Sequence, residues 1–295
     1  MKRCLLCVLF VFPGLCLLAQ NDSIPVTKVD SASTIDSAKI FPDEKVSVDP
    51  VYRLKASRDI PVFAVGAAWS GYAFTKIYSK DRSSVDKILS LDKNDINGFD
   101  RWAVRPYSEK FGNHSNLIFG GSMPLPVLFL FCNNTRKDFF KLTFLYLEAM
   151  SITGLLYTGS VYLTNRYRPY AYSDETPMTW RTRGGAKNSF YAGHVALVAT
   201  STFFMAKVYA DYNPDSKIKW LFYTVAGAAT GTIAYWRHRG GFHFPSDILL
   251  GITQGTLTGI LVPHFHKNKL IKDSRLGLLP YSDGQATGLT VVYNF

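Results

Sequence analysis

Six uncharged or nearly uncharged runs, at about 60–75, 116–135, 142–165, 188–206, 220–236 and 248–263, constrain this chain more than any other feature. Polar stretches separate them. A helix needs about 20 apolar residues to cross a bilayer, so the runs range from marginal to sufficient. Gly, Ala, Ser and Thr recur within them, as in "AGAATGTIAY" (226–235), a composition that lets helices approach closely. No alternating strand pattern and no internal repeat is visible. The expected fold is therefore all-α, a bundle of about six core helices occupying residues 57–266.

The flanks differ. "MKRCLLCVLFVFPGLCLLAQ" joins two cations to an apolar run and a small-residue end, which reads as a signal peptide over residues 1–20. Only Cys132 lies outside that stretch, so a processed chain could form no intrachain disulfide. Residues 21–56 are rich in Ser, Asp and Lys and read as a flexible polar lead-in. Residues 267–295 form a tail in which apolar and β-branched residues flank "SDG", the pattern of a β-hairpin.

Titratable residues collect at three breaks between runs. The first is "NRYRPY" (165–170), where proline ends the third run. The second is "NSFYAGH" (188–194), which opens the fourth. The third is "WRHRGGFHFPSD" (236–247), between the fifth and sixth. In an up-and-down bundle all three breaks fall at the same end. Two arginines and two histidines would then face one pocket. Guanidinium groups offer forked donors to a tetrahedral oxyanion, and the amides at the start of a helix favour an anion too. A phosphoryl group is the natural guest, with one histidine to attack phosphorus and another to protonate the leaving oxygen.

These residues resemble the type 2 phosphatidic acid phosphatase and vanadium haloperoxidase superfamily, whose pattern is Lys-x6-Arg-Pro, Pro-Ser-Gly-His and Ser-Arg-x5-His-x3-Asp. Arg168–Pro169 matches the end of the first motif and Gly193–His194 the end of the second. Arg237, His243 and Asp247 match the third with its spacing intact. The resemblance implies that His243 is the nucleophile, Asp247 holds its tautomer and His194 protonates the leaving group. Arg168, Arg237 and the Gly193 amide would bind phosphate oxygens. It implies no metal or other cofactor.

The chain also departs from the pattern. The family lysine falls at Val161, the Pro-Ser pair is Tyr191–Ala192, and the serine before the third-motif arginine is Trp236. Arg166 and Lys187 are the foremost candidates for the missing cation, ahead of Arg181 and Arg183, and Ser189 for the missing hydroxyl. Glu148 interrupts the third run and is read as a pairing group within the bundle. His264 and His266 are read as surface groups of a basic helix end, and Arg105–Pro106 as a cap or headgroup contact.

Basic connections at 136–141, 207–219 and 264–275 lie opposite the site. By the positive-inside rule the site faces outward. The expectation is a membrane-associated phosphatase of the cell envelope, with a periplasm-facing site. Its substrate would be a lipid phosphate monoester or pyrophosphate, such as an isoprenyl pyrophosphate, lipid A or a phosphatidyl compound. Two alternatives stay open: a soluble, broad-specificity exported acid phosphatase, and a non-catalytic envelope or lipid-binding protein with a degenerate site. The net charge of +11 is spread over helix ends, which disfavours nucleic acid as a partner.

Overall fold

The computed structural model describes residues 50–268 and two strands at 276–282 and 287–293. The expected signal peptide, most of the polar lead-in and the remainder of the tail lie outside the described residues. Six long helices form the bundle: α1 (Ala56–Tyr78), α2 (Glu109–Ser122), α3 (Phe139–Leu163), α4 (Gly193–Tyr212), α5 (Lys219–Arg239) and α6 (Pro245–His266). Leu125–Phe131 continues α2 as a 3₁₀ stretch. The two strands pair antiparallel as the expected hairpin, with Ser282 opposite Thr287.

Helix ends follow local chemistry. α6 starts with Pro245 at its first position, where the missing N–H costs nothing. The Asp247 carboxylate reaches back to accept the Phe244 N–H at 3.0 Å. α5 stops at Gly240–Gly241, and Gly241 takes a positive φ of 73°. A Cβ there would also sit 2.9 Å from the Pro106 carbonyl. Arg105–Pro106 therefore lies on the turn between α5 and α6.

The centre of the bundle is the contact between α4 and α6. Gly251, Gly255 and Gly259 recur every fourth residue and place one bare face of α6 against the backbone of α4. A Cβ at Gly251 would come within 2.8 Å of the Ala192 carbonyl, and one at Gly259 within 2.6 Å of the Thr200 carbonyl. Polar bonds fasten the same seam. Tyr191 Oη donates to Gln254 Oε1 at 3.0 Å, and Thr200 Oγ1 lies 3.2 Å from the Gly255 carbonyl. α1 packs on α3 in the same way, since a Cβ at Gly154 would meet Ser70 Oγ at 2.7 Å.

The polarity of the bundle is reversed on its outer faces. Leu147 and Leu156 on α3, and Leu249 and Leu257 on α6, are exposed, whereas Ser151, Thr153, Thr158 and Thr258 are buried. Without a hydrophobic drive between helices, close packing and interhelical hydrogen bonds must hold a bundle, which is the membrane solution. Among the described residues, Glu109–Phe131, Phe139–Leu163 and Pro245–His266 are long and apolar enough to cross a bilayer. That is three segments where the sequence offered six runs.

Cys132 is half-buried.

The seam sets a stability test. Gly255→Ala should destabilise the fold by about 1–3 kcal/mol through overpacking. Gly231→Ala, on α5 with no atom near its missing Cβ, should stabilise by about 0.5–1 kcal/mol through helix propensity. Thermal or denaturant unfolding of the two variants reads the contrast.

Candidate active site

The three sequence clusters meet at one end of the bundle. His243 lies in the short link between α5 and α6 and is buried. Its Nδ1 lies 2.7 Å from the Ser189 backbone carbonyl. A carbonyl can only accept, so Nδ1 carries the proton and Nε2 keeps its lone pair. Burial, then the charges of Arg168 and Arg237, hold the imidazole well below its usual range, and His194 adds to this. The Ser189 bond opposes it. His243 is thus a neutral base with Nε2 available, within the field of two guanidinium groups and a second histidine.

The arginines converge on Phe242. The Arg237 guanidinium carbon is 4.0 Å from that ring's centroid, and that of Arg168 is 5.6 Å away. Their remaining bonds are few. Arg237 donates to Ser115 Oγ at 3.3 Å, and Arg168 to the Asn188 carbonyl at 3.3 Å. The Nε of each is buried with no hydrogen-bond partner among the described residues. One buried and one half-buried guanidinium group, each with an unused buried donor, form a site suited to an oxyanion.

Gly193 begins α4, which no side chain caps at its N-terminus. A side chain at Gly193 would strike the Tyr157 ring. Glycine therefore lets the first turn, with its outward-pointing amides, lie close to the end of α3. His194 follows directly, half-buried, with its ring centroid 4.5 Å from that of Phe119.

Asp247 departs from its expected place, because its carboxylate does not bond His243. One oxygen accepts from Ser189 Oγ at 2.6 Å and from the Phe244 amide, and the other from Arg166 Nη1 at 2.5 Å. Asp247 thus acts one link away, fixing Ser189, whose carbonyl fixes the imidazole. Ser189 is consequently not the free hydroxyl expected to replace the missing motif serine. Arg166 is not a free cation either, since it bridges Asp247 and Asp100, the latter at 2.7 Å. Burial alone would raise the Asp100 carboxyl, but Ser246, Arg166 and Asn97 outweigh it and hold the group below its usual range. A carboxylate pair around one guanidinium thus ties the 97–103 segment to the start of α6.

Lys187 differs from Arg166. It is half-buried and makes no hydrogen bond or ion pair among the described residues. Lys80, which no sequence motif marks, donates its Nζ to the carbonyls of Val161 and Thr164 at 2.8 Å each. Burial, then the charge of Lys187, lowers its ammonium group. Two lysines therefore approach the end of α3 where the motif lysine is replaced by Val161. Lys80 lies outside all three motifs, and only the docking of α1 reveals it. Of the other candidates, Arg181 bonds the Ala171 carbonyl and Asp174, and Arg183 stacks on Trp180.

The buried neutral His243 gives a pH test. Its folded-state affinity for protons is depressed, so below about pH 6.5 the unfolded chain binds a proton the folded chain refuses. Stability should fall with pH by up to about 1.4 kcal/mol per unit, and this component should vanish in His243→Asn. Denaturant unfolding of both proteins between pH 5 and 7.5 measures it.

No curated protein matches the chain. A solved structure described as the first transmembrane PAP2 type phosphatidylglycerolphosphate phosphatase from Bacillus subtilis is 18% identical. It covers 73% of this chain and 98% of its own, with a TM-score of 0.41. Residues 142–271 match the sequence profile of the PAP2 superfamily. That stretch contains every residue of the three clusters, so the site-bearing segment of the chain is similar to the PAP2 superfamily.

Proposed function

We propose that the chain is a phosphatase acting on a lipid phosphate monoester or pyrophosphate through a phosphohistidine on His243. The observation that carries this reading is the pair of under-bonded guanidinium groups, Arg237 buried and Arg168 half-buried, beside a histidine whose Nε2 is free. In the proposed reaction Arg168, Arg237 and the Gly193 amide hold the phosphoryl oxygens, with Lys187 as a further cation. Nε2 of His243 attacks phosphorus as the bond to the leaving oxygen breaks, and His194 protonates that oxygen; burial and the two arginines disfavour the proton on His194, and the negative charge of the bound phosphoryl group restores it. The same residue, now neutral, takes a proton from the water that cleaves the phosphorus–nitrogen bond and releases phosphate. The arginines match the charge that develops on the equatorial oxygens. Asp247 and Arg166 serve as positioning residues, through Ser189.

A groove of about 370 Å³ beside the site favours a lipid. Phe99, Trp102, Tyr235, His238, Pro245 and Leu249 line it. It opens between α5 and α6, next to the link that bears His243, and its apolar wall suits an acyl or prenyl chain. The exposed leucines of α3 and α6 support a groove at a bilayer surface. The basic connections at the far end favour a site facing out of the cytoplasm, in the cell envelope.

Phosphate release from lipid and water-soluble phosphates tests the proposal. Lipid substrates should turn over at least about tenfold faster than soluble ones. His243→Ala should cost about 10³-fold or more, as expected for loss of a nucleophile. Arg237→Lys should cost about 10²-fold by losing forked contacts to the transition state. Equal turnover of soluble and lipid phosphates would support the broad-specificity alternative. No release from a folded sample would support the non-catalytic one.

A further inference from the structure

A second constellation of titratable groups lies far from His243, toward the opposite end of the bundle. Asp59 at the start of α1, Glu148 in α3 and His266 at the last position of α6 are all buried. One ligand atom from each lies within 4.8 Å of the other two. His266 is not the surface group that its basic helix end suggests. Its side chain instead turns into the bundle, while its neighbour His264 stays exposed.

The tautomer of His266 is decided by its surroundings. Nδ1 is 2.7 Å from the Val262 carbonyl, so Nδ1 bears the proton. Nε2 then points at two carboxylates, 3.2 Å from Asp59 Oδ1 and 3.5 Å from Glu148 Oε2. Neither Nε2 nor Glu148 Oε2 has a hydrogen-bond partner among the described residues. A lone pair facing two carboxylates in a buried site is repulsive unless a cation lies between them. A proton on Nε2 could serve, but a charge-assisted bond closes to about 2.7–2.9 Å. The observed gaps are wider. They match the edge between two ligands on one ion, about 3.0–3.4 Å for metal–ligand bonds near 2.1 Å.

The surroundings fit this reading. Metal-bound histidine usually donates its other ring N–H to a carbonyl or carboxylate, as His266 does. Asp59 is oriented by the Lys55 amide at 2.6 Å and by Arg58 Nε at 2.6 Å. Two carboxylates neutralise a divalent ion. One imidazole and two carboxylates suit zinc or manganese over calcium or magnesium.

We propose that Asp59, Glu148 and His266 form a structural divalent transition-metal site, zinc foremost, that clasps α1 to α3 and α6. It is separate from the phosphoryl-transfer site and takes no part in the chemistry there.

The test uses the full chain in detergent, without a histidine tag, stripped with chelator and titrated with Zn²⁺, Mn²⁺ or Mg²⁺. After desalting, one equivalent of Zn²⁺ should remain, and Mg²⁺ should not. Saturating Zn²⁺ should raise the thermal midpoint by about 5–10 °C. Co²⁺ should give visible absorption bands in place of zinc. His266→Ala and Glu148→Gln should abolish retention, while His264→Ala and His243→Ala should keep it. Should those two variants fail to fold, Asp59→Asn provides a third, and the wild-type titration decides alone. The proposal is overturned if the wild-type chain retains less than about 0.1 equivalent with an unmoved midpoint. It is equally overturned if retention survives His266→Ala or is lost in His243→Ala.

Discussion

Ordering at the site depends on the buried Asp247 carboxylate. It accepts from Ser189 Oγ, the Phe244 amide and Arg166, which join three separate segments of the chain. Its backbone carbonyl also accepts from the Ala192 amide at 3.1 Å, just before α4 begins. A single residue thus sets the start of α6, the start of α4 and the loop whose carbonyl orients His243. The glycine face of α6 makes this possible. Only where Gly251 lies against Ala192 can the two helix starts come close enough for these bonds.

The same arrangement reconciles a polar site with a greasy bundle. Outer faces carry leucine, and inner faces carry glycine, serine and threonine, so the helices cohere through close approach and hydrogen bonds. Charge concentrates toward the helix ends, with Glu148 and Lys207 as buried exceptions. At one end the under-bonded Arg168 and Arg237 face His243. Toward the other, Asp59, Glu148 and His266 converge. Both clusters contain buried polar atoms lacking partners among the described residues, an expensive condition that points to a ligand or an ion.

Much of this was legible in the sequence, for definable reasons. The apolar runs located the six helices because hydrophobic length is a local property. The three clusters could be brought together because an up-and-down bundle fixes which breaks share an end. Bonding partners were harder to read. The spacing of His243 and Asp247 suggested direct contact, yet Phe244 and Pro245 turn the chain so that the carboxylate caps its own helix and holds Ser189. Arg166 looked like a spare cation because Asp100, its partner, is 66 residues distant in sequence. Lys80 and Asp59 were invisible as site residues, since only the docking of α1 brings them to the rest. The recurrence of Gly251, Gly255 and Gly259 was present in the sequence, but its meaning emerges only with α4 beside it.

The most direct measurement is the chemical identity of the intermediate. A short-chain substrate carrying labelled phosphate would be mixed with enzyme, quenched in base within milliseconds, and the protein digested for mass spectrometry. The account predicts label on Nε2 of His243, absent in His243→Ala and accumulating in His194→Ala when the substrate has a good leaving group. Product release with no label on His243, together with inversion of configuration at phosphorus, would contradict it.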